Sequence, residues 1–398
     1  MSLPIWVHVF RVVAGFALFL LSTALLIWAE RRVVARMQSR IGPNRVGPFG
    51  VLQTLVEGVK LFFKEDVTPS MVDRPIYLLA PLLSVVVAFM SFAIIPFGGQ
   101  VSLFGETFAL QIADLNVGLL WFLAMGSINV YSVVLAGWSS RSPYPLLGGV
   151  RSSAQMVSYE IAQGLAVASV FVYAGTLTVS EIVAIQANEP GLIAGVPNWF
   201  VIPLFPAFLI FAVAMVAETQ RPPFDLPEAE GELVAGFHTE YGGLRFAMFF
   251  LAEFMNVITV SAILVTMFFG GPAGPNPLDG TPALAWILPV VWFLVKTWAV
   301  VFVFILLRGA LPRFKYDRLM DIGWKWLLPL GLVWVLATAF MVLVNEQLSD
   351  DARFAIAGGG IAAAVILYLV APLFTAAPVP ADTPPSDEFG DELEEVST

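Results

Sequence analysis

Apolar runs of about 20 residues recur along this 398-residue chain, and that recurrence limits the fold more than any motif does. A helix rises about 1.5 Å per residue, so each run can cross the ~30 Å hydrocarbon core of a bilayer. Nine can be marked, at 12–29, 76–97, 117–138, 154–174, 200–217, 246–269, 284–307, 326–344 and 354–374. The ninth is weaker, because "AGGGIAAA" costs helix propensity, although glycine is common in membrane helices. The first run begins near the N-terminus, but the many that follow exclude a cleaved secretory signal as its explanation. With 58% hydrophobic and 13% charged residues, the predicted fold class is all-α, a polytopic membrane helical bundle of about nine transmembrane helices. Residues 1–375 read as one transmembrane helical domain, with no matched halves of the kind seen in transporters.

The net charge of −10 is concentrated at the end of the chain. "APVPADTPPSDEFGDELEEVST" holds seven acids and no Lys or Arg, and without it the balance is only −3. Residues 376–398 are therefore expected to be an acidic disordered tail. The chain has no cysteine, which excludes disulfides, thiolate-held iron–sulfur clusters and thiol catalysis on it. His8 and His238 are too few for a histidine-rich metal or haem site, so no metal site is predicted.

Basic residues alternate sharply between the runs. The first, third, fifth and seventh loops carry them, from Arg31, Arg32, Arg36, Arg40 and Arg45 through Arg141, Arg151, Arg221 and Arg245 to Arg308, Arg313, Lys315, Arg318 and Lys325. The second, fourth and sixth loops carry none. Positive charge marks the cytoplasmic side, so the N-terminus is expected outside and, with nine spans, the C-terminus in the cytoplasm. In the first loop, "VLQTLVEGVKLFFK" puts Leu52, Leu55, Val56, Val59, Phe62 and Phe63 on one face. That spacing predicts a cytoplasmic-side amphipathic helix, either an interfacial anchor or a cover for a hydrophobic entrance.

Ionisable groups inside the bilayer are costly, so they carry most of the functional information. Glu160 lies six residues into the fourth run and Glu253 seven into the sixth, roughly 9–10 Å below the inner boundary. Glu218 ends the fifth run near the same face, and Lys296 is near mid-span. Together they suggest a proton or ion path, against interhelical hydrogen bonds or ion pairs that only hold the bundle together. The stretch "AETQRPPFDLPEAEGELVAGF" then gathers Glu218, Asp225, Glu228, Glu230 and Glu232 just after the fifth run. Pro222 and Pro223 should stop that helix, and Asp225 with Glu228 can cap a new one. Concentrated carboxylates can bind cations, hold protons or meet a basic partner, and a plain acidic surface loop is also open.

These stretches carry a family resemblance. "AETQRPPFDLPEAEGELVAGFHTEYGG", "ERRVVARMQSRIGPNRVGPFGVLQTLVEGVKLFFKED", "SAQMVSYEIA" and "LPRFKYDRLMDIGWKWLLPL" resemble the membrane subunit at the quinone site of respiratory complex I. That family comprises the H subunit of bacterial NADH–quinone oxidoreductase and its equivalent, mitochondrial subunit 1, and the likeness spans about residues 20–345. The resemblance implies a quinone-chamber and coupling subunit that links quinone reduction to proton translocation. No redox centre is implied on this chain, hence no catalytic residue; quinone (ubiquinone or menaquinone) is the substrate, and NADH, FMN and iron–sulfur clusters act through partner subunits. Implied partners are hydrophilic quinone-site and iron–sulfur subunits, small membrane subunits, antiporter-like subunits and the lipid bilayer of a bacterial inner or plasma membrane; no nucleic acid is implied.

Glu30, Arg31, Arg40, Arg221 and Asp225 match family positions around the quinone route. Glu160, Glu218, Glu228, Glu230, Glu232 and Glu253 match its proposed coupling path. Related subunits also occur as membrane anchors of membrane-bound hydrogenases. A stand-alone proton-coupled transporter and a purely structural anchor remain further alternatives.

Overall fold

The computed structural model describes residues 4–103, 106–188, 198–225, 234–275 and 286–345. The expected ninth span, the acidic tail, and Glu228, Glu230 and Glu232 lie outside the described residues. The described helices are α1 (Ile5–Met37), α2 (Gln53–Phe63), α3 (Arg74–Phe92), α4 (Gly118–Ser139), α5 (Pro143–Ala174) and α6 (Val179–Asn188). They continue as α7 (Phe205–Glu218), α8 (Gly243–Phe268), α9 (Ile287–Ala310), α10 (Tyr316–Asp321) and α11 (Leu328–Asn345), with a π-helical turn, Ile322–Leu327, between the last two. A small antiparallel hairpin pairs Gln100–Leu103 with Glu106–Ala109. The chain is thus a polytopic helical membrane bundle, with seven described helical stretches long and apolar enough to cross a bilayer.

Two helices differ from their predicted limits in ways that matter to function. The run at 200–217 yields only the 14-residue α7, about 21 Å long, because Pro206 lacks the amide a helix interior needs and is accepted in a first turn. In the other direction, α5 begins eleven residues before its predicted start, where Pro143 opens the first turn. Glu160 therefore lies in the middle of a helix rather than near its end. At the far end of α5, Gly175 at φ 70° closes the helix and donates its amide to the Phe171 carbonyl at 2.8 Å.

Helix α8 is central, packing against α1, α3, α7 and α9. Its most apolar 18-residue stretch is 72% buried, against 28% for α9. Peripheral helices turn apolar side chains outward instead, as with Val9, Val12, Val13 and Phe16 on α1. A lipid solvent permits that arrangement, which water would penalise. The amphipathic α2 appears where expected and has no buried residue.

Candidate functional site

The C-terminal ends of α1, α7 and α9 and the N-terminal half of α8 meet around one arginine. Arg221 stands three residues beyond α7, in the turn that Pro222 and Pro223 continue. Two buried amide bonds fix that turn: Gln155 Nε2, on α5, donates to the Ala217 carbonyl at 2.8 Å and to the Phe224 carbonyl at 2.9 Å. The Phe314 amide adds a bond to the Pro223 carbonyl at 3.0 Å, and Phe224 packs between the rings of Tyr159 and Phe314.

So held, the Arg221 guanidinium lies between two carboxylates and an aromatic face. Its Nε is 2.9 Å from Glu253 Oε1 on α8, and its NH1 is 3.3 Å from Glu30 Oε1 on α1. Phe254 lies beneath it, 4.1 Å from ring centre to guanidinium carbon. Both Glu30 and Arg221 are buried, so the charges must balance locally. Arg308, in the last turn of α9, supplies a second cation to Glu30. Nearby, Arg313 NH2 is 3.1 Å from Asp225 Oδ2 and ties the turn to the segment after α9.

Away from Arg221, a second group of carboxylates extends into the bundle. Glu253 and Glu218 line one cavity of about 50 Å³, together with Ser84, Asn129 and Asn256. One water needs roughly 10–15 Å³ measured this way, so a small water cluster fits. Glu218 then approaches Glu160 across Gly126 of α4. A Cβ on that glycine would lie 3.3 Å from Glu218 Oε1 and 3.9 Å from Glu160 Oε1. Ser127, on the same helix, donates to Glu160.

The structure thus brings together Glu30, Arg221 and Glu253 by ion pairs, with Glu218 and Glu160 in succession behind them. Asp225 sits beside them in the same turn. Arg31 and Arg40 are engaged elsewhere: Arg31 pairs with Glu57 and holds α2 against α1, while Arg40 bonds Gln38 in the neighbouring turn. Lys296 is not brought to the carboxylates. Its ammonium donates to the carbonyls of Phe269, Gly271 and Ala273 at 2.8, 3.1 and 2.6 Å, capping the far end of α8. Glu253 is fifteen residues before Phe268 on that helix, which separates the two by about 20 Å. The reason is electrostatic: the C-cap residue Phe269 and the turn after α8 present three carbonyl oxygens to one ammonium.

Arg308, Gln155, Gly126 and His238 were not singled out in the sequence as parts of this site. A glutamine inside an apolar helix was the one available signal, because an amide there must find partners. Among the described residues, no group of three or more His, Asp or Glu is placed to hold a metal ion.

The fold and site define a polytopic membrane protein with a buried arginine that joins carboxylates of two helices. A family profile described as NADH dehydrogenase matches residues 10–339. The chain is 50% identical over 368 residues to the H subunit of NADH-quinone oxidoreductase from Frankia casuarinae, covering 92% of this chain and 79% of that one. The same identity and coverage hold for the corresponding protein of Frankia alni. The chain belongs to this family, that of the membrane H subunit of the enzyme complex NADH–quinone oxidoreductase.

Proposed function

We propose that this chain forms the quinone-facing side of NADH–quinone oxidoreductase and couples quinone reduction to proton translocation. The observation that carries the proposal is Arg221, which contacts Glu30 on one side and Glu253 on the other. Glu30, Arg221 and Asp225, with Arg308 and Arg313, form the quinone-side charge cluster; Arg31 and Arg40 flank it through α1 and the turn that follows. Glu253, Glu218 and Glu160 form the start of the proton path, continued by Glu228, Glu230 and Glu232 of the acidic loop.

A change of charge near quinone would alter how strongly Glu30 competes for Arg221, and so the charge balance at Glu253. Buried ion pairs respond strongly to such changes, because low dielectric magnifies each one. In this reading the described residues 4–345 belong to the membrane part of the subunit. The N-terminus faces outward, and NADH, FMN and iron–sulfur chemistry sits in partner subunits of the complex.

The test is Glu218→Gln in a fully assembled complex, with NADH-driven quinone reduction and proton uptake measured in sealed vesicles. Pumping should fall at least about tenfold, the scale of losing a positioned proton carrier. Unchanged turnover and pumping would overturn the assignment.

A further inference from the structure

His238 belongs to the short 3₁₀ turn Gly236–His238 and lines the same cavity as Glu218 and Glu253. Its ring lies against Phe237 at 4.9 Å and Phe246 at 5.3 Å, centre to centre, so aromatic packing fixes it at the cavity wall. The chain's other histidine, His8, is exposed on the first helix. Among the described residues, the ion pairs around Arg221 do not involve His238.

We propose that His238 is a proton-transfer residue between Glu218 and Glu253, acting across water held in their shared cavity. The inference rests on the coupling reading above and adds a carrier of a different chemical type to it. A neutral imidazole has one bare nitrogen and one N–H, so it accepts on one side while donating on the other. The O–H bond of one carboxyl breaks as an N–H bond forms at the bare nitrogen. The N–H bond at the opposite nitrogen then breaks, and its proton passes through water to the other carboxylate. One proton has moved, the ring is neutral again as the other tautomer, and a turn of the ring resets it. No electrons are exchanged.

Burial pushes the His238 imidazole down to about 4, so it rests in the neutral form that this step requires. The titratable groups on the cavity wall are Glu218 from α7 and Glu253 from α8. Helices α3, α4 and α5 contribute Ser84, Asn129 and Met156, which do not titrate, and Arg221 reaches Glu253 without lining the cavity. A carboxylate that ionises beside the ring raises the ring's proton affinity for as long as the charge lasts. That makes the protonated imidazole a transient.

The experiment compares His238→Asn and His238→Gln with Glu218→Gln and a His8→Asn control, each in the complete complex in sealed vesicles. Both amides keep a polar side chain at the wall but cannot carry a proton through. Assembled His238 variants should pump about tenfold more slowly, with an altered pH profile and a larger solvent deuterium effect, while His8→Asn matches wild type. If both variants keep wild-type pumping, pH profile and isotope effect while Glu218→Gln loses pumping, His238 is no carrier and the coupling reading stands. If Glu218→Gln also pumps normally, the coupling reading falls and this inference with it. Failure of both His238 variants to assemble would assign the residue to packing and overturn the proposal.

Discussion

Arg221 Nε lies 2.9 Å from Glu253 Oε1, joining the buried turn after α7 to the most buried of the seven described spans. The same guanidinium reaches Glu30, so removing it would strand Glu253 and leave Glu30 to Arg308 alone. Breaking a buried pair costs about 3–5 kcal/mol, and Arg221→Met should show that loss in thermal stability and assembly. Arg221→Lys is the sharper probe. A single ammonium cannot span both carboxylates as a planar fork does, so quinone reductase activity should drop about tenfold in a complex that still assembles. Wild-type activity in Arg221→Lys would show that bridging is unimportant.

Gly126 offers a way to disturb Glu218 and Glu160 without removing a charge. A methyl group there would press on Glu218 Oε1, and the larger side chain of Gly126→Val would push between the two carboxylates. Gly126→Val is expected to reduce proton pumping more than Gly126→Ala, with assembly checked by native electrophoresis. Equal pumping in both would mean that the two carboxylates need not approach here.

Gln155 holds the turn that carries Arg221 through two carbonyls. Gln155→Leu keeps the volume but removes both bonds: the Ala217 carbonyl keeps the Gln220 amide, while the Phe224 carbonyl loses its donor, at roughly 1–3 kcal/mol. The complex should melt at lower temperature, and the quinone KM should rise as the turn loosens. An unchanged melting temperature would count against this account of the turn.

Lys296→Met should behave differently from every carboxylate variant. It removes the cap from the far end of α8, an interaction worth about 0.3–2 kcal/mol at a helix terminus. Stability should fall while protons pumped per electron stay the same. A lowered ratio would return Lys296 to the proton path.

The buried His238 also makes a stability prediction. Its folded value, about 4, lies below the ordinary 6.5, so the unfolded loop binds more protons between those limits. Its contribution is complete above about pH 6.5 and is lost as pH falls toward 4. The protection of amides around Gly236–His238, taken relative to the intrinsic exchange rate at each pH, should fall over that window, and His238→Asn should remove the fall. Tyr241, three residues on, is pushed upward by burial and stays protonated throughout.

The sequence by itself determined the helical membrane bundle, the amphipathic α2 and the acidic residues worth examining. Twenty-residue apolar runs have few physical outcomes in a bilayer, and a carboxylate inside one is conspicuous because burying it is costly. Spacing along the chain also put Glu218, Asp225 and Glu253 near one face. It did not reveal that Arg221 would bridge Glu30 and Glu253, residues that lie 191 positions away and 32 positions away respectively. Nor did it separate Lys296 from the carboxylates, since a buried charge looks alike in one dimension whether it relays protons or caps a helix. Partners of that kind are chosen by how helices pack, and local sequence carries no record of which far-off side chain will balance a charge. Only the tertiary structure decided those pairings.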